Sequence, residues 1–89
     1  MMSVGLYYGH TRGVVAHWSG NRLVSCTVGA VDRHPPEGAA WTLKFTPTGE
    51  GDKCLANRMA VLKSEYASGL LDAAVYLDAV DETVEKFEE

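Results

Sequence analysis

The acidic side chains near the C-terminus are the most distinctive chemical groups in this sequence. Residues 65–89 hold eight acidic and one basic side chain, net −7, whereas residues 1–64 hold four acidic and seven basic ones, net +3. Helical carboxylates three or four positions apart lie ~5–6 Å from each other, close to the charge spacing along a nucleic-acid backbone. Such a face can occupy a partner's basic, nucleic-acid-binding groove. The predicted contact residues are Asp78, Asp81, Glu82, Glu85, Glu88 and Glu89.

The same carboxylates have two less specific interpretations. A terminal amphipathic helix often carries a solvated acidic face that keeps a small protein soluble. Alternatively, the acids flank a homodimer seam and discourage wrong partners. Paired carboxylates that act as general acid and base sit in pockets, whereas these are predicted on an open helical face. We therefore expect no catalytic residues and no enzyme activity.

Histidine and cysteine side chains are too scattered to predict a metal or nucleophilic site. The sequence has no C-x-x-C or H-x-x-x-H pair, which are spacings typical of zinc ligands. His17 and Cys26 share a face of a predicted hairpin, and the remaining candidates for a tetrahedral set are His10, His34 and Cys54. A Cys–His nucleophilic pair would need a third, orienting group that the pattern does not supply. We expect no metal and no cofactor, with His17 packed in the core.

A sheet that binds nucleic acid is the main alternative of another class. The first part of the chain carries aromatic rings that can stack on bases, together with basic side chains: Tyr7, Tyr8, Trp18, Trp41, Arg12, Arg22, Arg33, Lys44, Arg58 and Lys63. A net charge of +3 is far below the strongly basic balance typical of such domains, and no RNA-binding aromatic motif is present. Glycine-rich phosphate-binding motifs are also missing. Direct nucleic-acid binding is therefore not the expected function.

An α+β fold is predicted to position these side chains within one domain, residues 1–89. Apolar runs bounded by turn residues predict a small antiparallel sheet of about four strands near 3–8, 13–18, 23–30 and 40–46. From Asp52, a predicted N-cap, the apolar period becomes helical, and Ser68 and Gly69 predict a break between two helices. These helices are expected near 52–65 and 70–87, so a β-rich part, 1–46, precedes a helical part, 52–87.

The second and third strands are predicted to form a hairpin with Gly20 and Asn21 at its turn, since both residues tolerate a positive φ. The predicted pairs are Ser19 with Arg22, Trp18 with Leu23, His17 with Val24, and Val15 with Cys26. One face then carries the expected core residues Val15, His17, Val24, Cys26 and Val28. In the fourth strand, Trp41, Leu43 and Phe45 alternate with polar residues, and the segment 46–51 is expected to end it.

A heptad of apolar residues runs along the last helix. Steps of four and three connect Tyr66, Leu70, Ala73, Leu77, Val80, Val84 and Phe87. Because an 89-residue chain has few elements to cover this stripe, a second copy is the expected partner. The predicted homodimer seam consists of Leu70, Ala73, Leu77, Val80, Val84 and Phe87.

The sequence therefore predicts a small, acidic binding protein in the cytoplasm. We expect no secretory signal and no membrane span, since no basic region followed by an apolar run opens the sequence and no stretch reaches ~18 apolar residues, and we expect Cys26 and Cys54 to stay reduced. The expected partner is a protein with a basic surface, such as a nucleic-acid-handling complex, that this chain inhibits or modulates. In size and charge alone, the chain is analogous to small inhibitors encoded by phages and mobile elements, including those that block CRISPR effectors.

Overall fold

A computed structural model describes residues 2–33 and 43–88 and has the predicted α+β architecture, a four-stranded antiparallel sheet followed by two C-terminal helices. The strands are β1 (Met2–Tyr8), β2 (Arg12–Ser19), β3 (Arg22–Asp32) and β4 (Lys44–Gly51), paired in chain order. The helices are α1 (Lys53–Ala67) and α2 (Ala73–Glu88). Both helices pack on one face of the sheet, which places the core between them and the inner sides of β1, β2 and β3.

The β2–β3 hairpin forms at the predicted turn but with a different register. Its observed pairs are Ser19 with Arg22, Trp18 with Leu23, His17 with Ser25, Ala16 with Cys26, and Val15 with Thr27. Val24 is the extra residue of a β-bulge, and every pair beyond it moves by one position. The predicted pairs of His17 with Val24 and of Val15 with Cys26 are therefore wrong.

The bulge decides which side chains enter the core. Four residues lie beneath the helices, and each is no more than 3% exposed: Val14, Ala16, Cys26 and Val28. Val15 and His17 are half-buried on the opposite face, and Val24 is 45% exposed. The predicted core face was correct for Cys26 and Val28 and wrong for these three residues. Because of the one inserted residue, the residues of β2 that share a face with Cys26 and Val28 are Val14 and Ala16, not Val15 and His17.

Strand β4 lies further along the chain than predicted. It spans Lys44–Gly51, so the segment 46–51, expected to end the strand, belongs to it. Pro47 is tolerated because β4 is an edge strand, and a second irregularity in pairing lies between Val28 and Gly29. The predicted strand residues 40–42, with Trp41 among them, lie outside the described residues.

The helix boundaries follow from local capping. Asp52 caps α1 as predicted, its carboxylate accepting a hydrogen bond from the Leu55 N–H at 2.7 Å. The predicted break occurs where Gly69 adopts a φ of +86°. The second helix begins at Ala73 rather than at residue 70, because Asp72 accepts a hydrogen bond from the Val75 N–H at 2.9 Å and thereby caps α2.

A thiol fixes α1 to the sheet. The buried Cys26 Sγ donates to the Asp52 carbonyl oxygen at 3.1 Å, and Leu55, the first buried residue of α1, packs into the same core. Cys26 and Cys54 are both free thiols. No helix in the described part of the chain is long and apolar enough to cross a membrane.

Candidate functional site

Three of the predicted acidic contact residues form an exposed line on α2, which we call the outer ridge: Asp78, Glu82 and Glu85. Their spacing of four and three residues places neighbouring carboxylates ~5–6 Å apart on one side of the helix. The other side of α2 buries Val80 and Val84 completely against the sheet. Burial of that side therefore fixes the outer ridge toward solvent.

Asp81 points toward the sheet instead of outward. Its carboxylate accepts hydrogen bonds from the backbone N–H groups of Thr11 and Arg12, at 3.1 Å and 3.0 Å. The close approach requires glycine at position 9, because a Cβ there would collide with the Asp81 carboxylate and with the carbonyl oxygen of Leu77. Asp81 thus anchors α2 to the β1–β2 turn and is a positioning residue.

Two further acids contact the same turn. Glu88 pairs with the Arg12 guanidinium, and Asp78 of the outer ridge pairs with His10 Nε2 at 3.2 Å. These contacts join residues about seventy positions apart, and no local pattern in the sequence reveals them. Exposed pairs of this kind contribute at most about 1 kcal/mol, so they orient the helix more than they stabilise it. The remaining predicted contact, Glu89, lies outside the described residues.

The charge of the outer ridge is largely uncompensated. Within residues 2–33 and 43–88, Glu82 and Glu85 make no ion pair. The one basic residue of α2, Lys86, instead lines a shallow cleft between the start of α1 and the end of α2, together with Asp52 and Phe87. Of the five predicted contact residues that the structure describes, three form the outer ridge, and Asp81 and Glu88 contact the β1–β2 turn.

The predicted dimer seam divides into buried and exposed parts. Val80 and Val84 are fully buried in the core of their own chain, and Leu77 is half-buried there. Leu70 precedes α2 and is 76% exposed, Ala73 is exposed, and Phe87 is partly exposed. Packing of α2 against the sheet accounts for the middle of the heptad, and only its ends remain accessible to a second copy.

A cleft of about 270 Å³ lies where β1 meets the end of α1 and the start of α2. We call it the tyrosine cleft; its lining residues are Leu6, Tyr8, Arg33, Lys63, Tyr66, Ala73, Tyr76 and Leu77. The rings of Tyr66 and Tyr76 stack with centroids 4.9 Å apart. The pKa of Tyr76 is raised, mainly because the phenol is buried and to a smaller extent because Tyr8 lies nearby.

Sequence reasoning did not identify the tyrosine cleft. The sequence groups Tyr8, Arg33 and Lys63 with other aromatic and basic residues in a predicted nucleic-acid-binding sheet, and it places Tyr66 in the heptad. The connection between the helices brings Tyr66 beside Tyr76, a contact that depends on where α1 ends and α2 begins. The number of tyrosines was the available signal, but their spacing alone does not bring them together.

The other described aromatic residues of the predicted nucleic-acid-binding sheet, Tyr7 and Trp18, belong to the core and not to an open stacking surface. Tyr7 is buried in the core, and Trp18 packs against that core on the helix-covered face. Trp41 lies outside the described residues. Among the cations of the same hypothesis, Arg12 is paired with Glu88, and only Arg33 and Lys63 line the tyrosine cleft.

The histidine and cysteine side chains do not come together as a metal or nucleophilic site in the part of the chain that the structure describes. No group of three His, Cys, Asp or Glu side chains within that part could hold a metal ion. His17 Nε2 lies 3.0 Å from Thr27 Oγ1, on the outer face of the sheet rather than in the core. Burial raises the pKa of the Cys26 thiol, which disfavours the nucleophilic thiolate.

Comparisons with protein-family profiles, curated proteins and solved structures find no match to this chain. The outer ridge and the tyrosine cleft are therefore identified by their geometry and charge. They share no residue and have opposite charge, which makes them separate candidates for binding.

Proposed function

We propose that this chain is a non-enzymatic binding protein whose outer ridge contacts the basic, nucleic-acid-binding surface of a protein partner and so inhibits or modulates it. The observation that supports this most directly is the exposed line of Asp78, Glu82 and Glu85 on α2. Three carboxylates at helical spacing can face successive cations that normally contact phosphates.

The charge balance supports a cationic partner. Residues 65–89 carry a net charge of −7, and Glu82 and Glu85 make no ion pair within the described residues. Acidic side chains toward a helix C-terminus also oppose the helix dipole, which favours cations there. A basic surface placed against the ridge would neutralise the unpaired carboxylates and offset their unfavourable interaction with the helix dipole. The association rate of the two proteins would then fall as salt increases.

The packing of α2 supports rigid presentation of the ridge. Val80 and Val84 are buried on the opposite side of the helix, and Asp81 holds it to the β1–β2 turn. A ridge that is ordered before binding loses little conformational entropy when a partner binds. The proposal therefore assigns contact to Asp78, Glu82 and Glu85 and positioning to Asp81 and Glu88.

A pair of charge-matched variants tests the contact. Glu82→Gln with Glu85→Gln removes two ridge charges while keeping side-chain size, and Glu50→Gln with Glu65→Gln removes the same charge elsewhere. Proteins captured from host lysate by the unaltered chain are identified, purified and titrated with both variants. We expect the ridge variant to bind about tenfold more weakly or worse and the control to bind normally. Equal binding of the two variants would contradict the proposal.

Competition tests the inhibitory part of the proposal. The purified partner is loaded with its labelled nucleic acid and then mixed with increasing amounts of this protein. Displacement of the nucleic acid, lost in the ridge variant, is expected if the carboxylates occupy phosphate-binding cations. A stable ternary complex would show that the ridge binds elsewhere, and the analogy with phage-encoded inhibitors would then lose its basis.

A further inference from the structure

We infer that the tyrosine cleft binds one nucleotide unit, with the base against its tyrosine rings and the phosphate at Arg33 and Lys63. This site is separate from the outer ridge and does not depend on the proposed function. Its volume of about 270 Å³ lies just below the usual range of small-molecule sites, about 300–1,000 Å³, and this limits the ligand to about one nucleotide unit.

The aromatic side of the cleft provides a surface for a base. Tyr76 is buried, and its ring stacks on that of Tyr66, which is 43% exposed. Tyr8 adds a third, half-buried ring from the edge strand β1. Bases of every type stack on such rings, since each presents a π-face.

The charged side of the cleft carries two cations. Among the described residues that line it, Arg33 and Lys63 are the only charged ones, although the chain as a whole has a net charge of −4. Arg33 lies over the Tyr8 ring at 5.5 Å, and Lys63 lies over the Tyr7 ring at 5.1 Å. Neither cation forms an ion pair with a carboxylate of the described residues.

Cation–π contacts hold these two side chains in place without satisfying their hydrogen-bond donors. A guanidinium carries five N–H donors and an ammonium three, and a ring face accepts few of them. A phosphate is the group that best uses several such donors together. The N-terminus of α2 contributes less, because Asp72 already accepts the Val75 N–H there.

These features together favour an anionic, planar ligand over the other ligand classes. A cationic ligand would be repelled by Arg33 and Lys63, and an apolar one would leave both without an anion. A nucleotide combines a stacking ring with a phosphate. The nucleotide can be a free monophosphate or one unit of a single-stranded nucleic acid, and the two sources have the same contact chemistry.

Titration of the isotope-labelled protein, followed by NMR, tests the site with four probes: adenosine monophosphate, adenosine, inorganic phosphate and a short oligothymidylate. We expect the monophosphate to shift the amide signals of Leu6, Ala73 and Leu77, and adenosine to bind about tenfold more weakly. Tighter binding of the oligonucleotide would identify a single strand as the source, and equal or weaker binding a free nucleotide. No shift around the cleft with any probe at millimolar concentration would overturn the inference.

Substitutions separate the phosphate contact from the stacking contact. Lys63→Gln should weaken the monophosphate about tenfold and adenosine little, whereas Tyr66→Ala should weaken both. Lys53→Gln removes the same charge from an exposed position at the start of α1, outside the cleft, and should change neither affinity. Equal effects of the two lysine variants would refute the phosphate assignment. The ridge variants should bind the monophosphate normally, which keeps this test independent of the proposed partner.

Discussion

The two faces of the sheet contain similar residues and yet have different surroundings. On the inner face, Val14 and Val28 lie beneath the helices and are at most 3% exposed. On the outer face, Val15 is half-buried and Val4 is 61% exposed, with no helix over them. Valine occurs on both faces, so residue type does not distinguish them. The covering helices and the bulge at Val24 determine which face becomes the core.

The outer face nevertheless has one tightly packed end. The Phe45 ring of β4 lies over Gly29, where a Cβ would come within 2.6 Å of the ring. Val31 covers Gly13 in the same way, at 2.8 Å. Glycine at these two positions lets large side chains from neighbouring strands fill the space above them. The two faces therefore differ in how they are covered, by helices on one side and by cross-strand side chains on the other.

The largest effect should come from placing a charge on each face in turn. Val14→Asp buries a carboxylate without a cation and should cost about 3–5 kcal/mol of the free energy of unfolding, enough to unfold most of a small domain. Val15→Asp, on the neighbouring outer position, should cost about 1 kcal/mol. Urea denaturation measures both, and similar losses for the two variants would show that the assignment of faces is incorrect.

A second pair of variants tests the bulge itself. Val28→Ala removes buried methyl groups and should cost about 2 kcal/mol, while Val24→Ala changes a 45% exposed side chain and should cost less than about 0.5 kcal/mol. A register without the bulge would bury Val24 beside Cys26, and the two losses would then be comparable. Thermal or urea unfolding of both variants at one protein concentration distinguishes the two registers.

Local signals predicted much of the fold. Asp52 caps α1, Gly20 and Asn21 form the hairpin turn, and Gly69 ends the first helix. Each follows from signals within a few residues, although at the turn Gly20 adopts a positive φ and Asn21 does not. The bulge was missed because Val24 is acceptable on either face of a strand. Strand β4 was misplaced because proline and glycine predict a turn unless the strand is known to lie at an edge.

The candidate sites depend more on contacts between distant residues. Helical periodicity alone places Asp78, Glu82 and Glu85 away from the buried stripe. Nothing local indicates that Asp81 would meet the β1–β2 turn, and the tyrosine cleft exists only once two helices and an edge strand are assembled. Sequence patterns therefore predict surfaces of single elements better than sites formed between elements.

The Asp81 anchor should show a smaller but still measurable effect. Asp81→Ala leaves the N–H groups of Thr11 and Arg12 without their acceptor and should cost about 1–2 kcal/mol. Glu85→Ala, one helical turn further along and exposed, should cost less than about 0.5 kcal/mol. Amide hydrogen exchange should become faster at Thr11 and Arg12 in the first variant only. Unchanged exchange at both amides would mean that the carboxylate does not hold the turn.

The smallest effect should be a loss of stability at alkaline pH that originates in the core between the sheet and the helices. Burial raises the pKa of Cys26 and of Tyr76, so the folded protein holds both protons more tightly than the unfolded chain does. The contribution of these two groups to the free energy of unfolding should therefore be fully present below the ordinary thiol pKa of about 8.5. It should decrease as pH rises past that value and past the ordinary phenol pKa of about 10. Tyr76→Phe removes the phenol and should flatten the upper part of this decline in a series of urea midpoints. Tyr66→Phe, its stacked and more exposed neighbour, is the matched control, and an equal flattening in both variants would mean that burial of Tyr76 is not the cause.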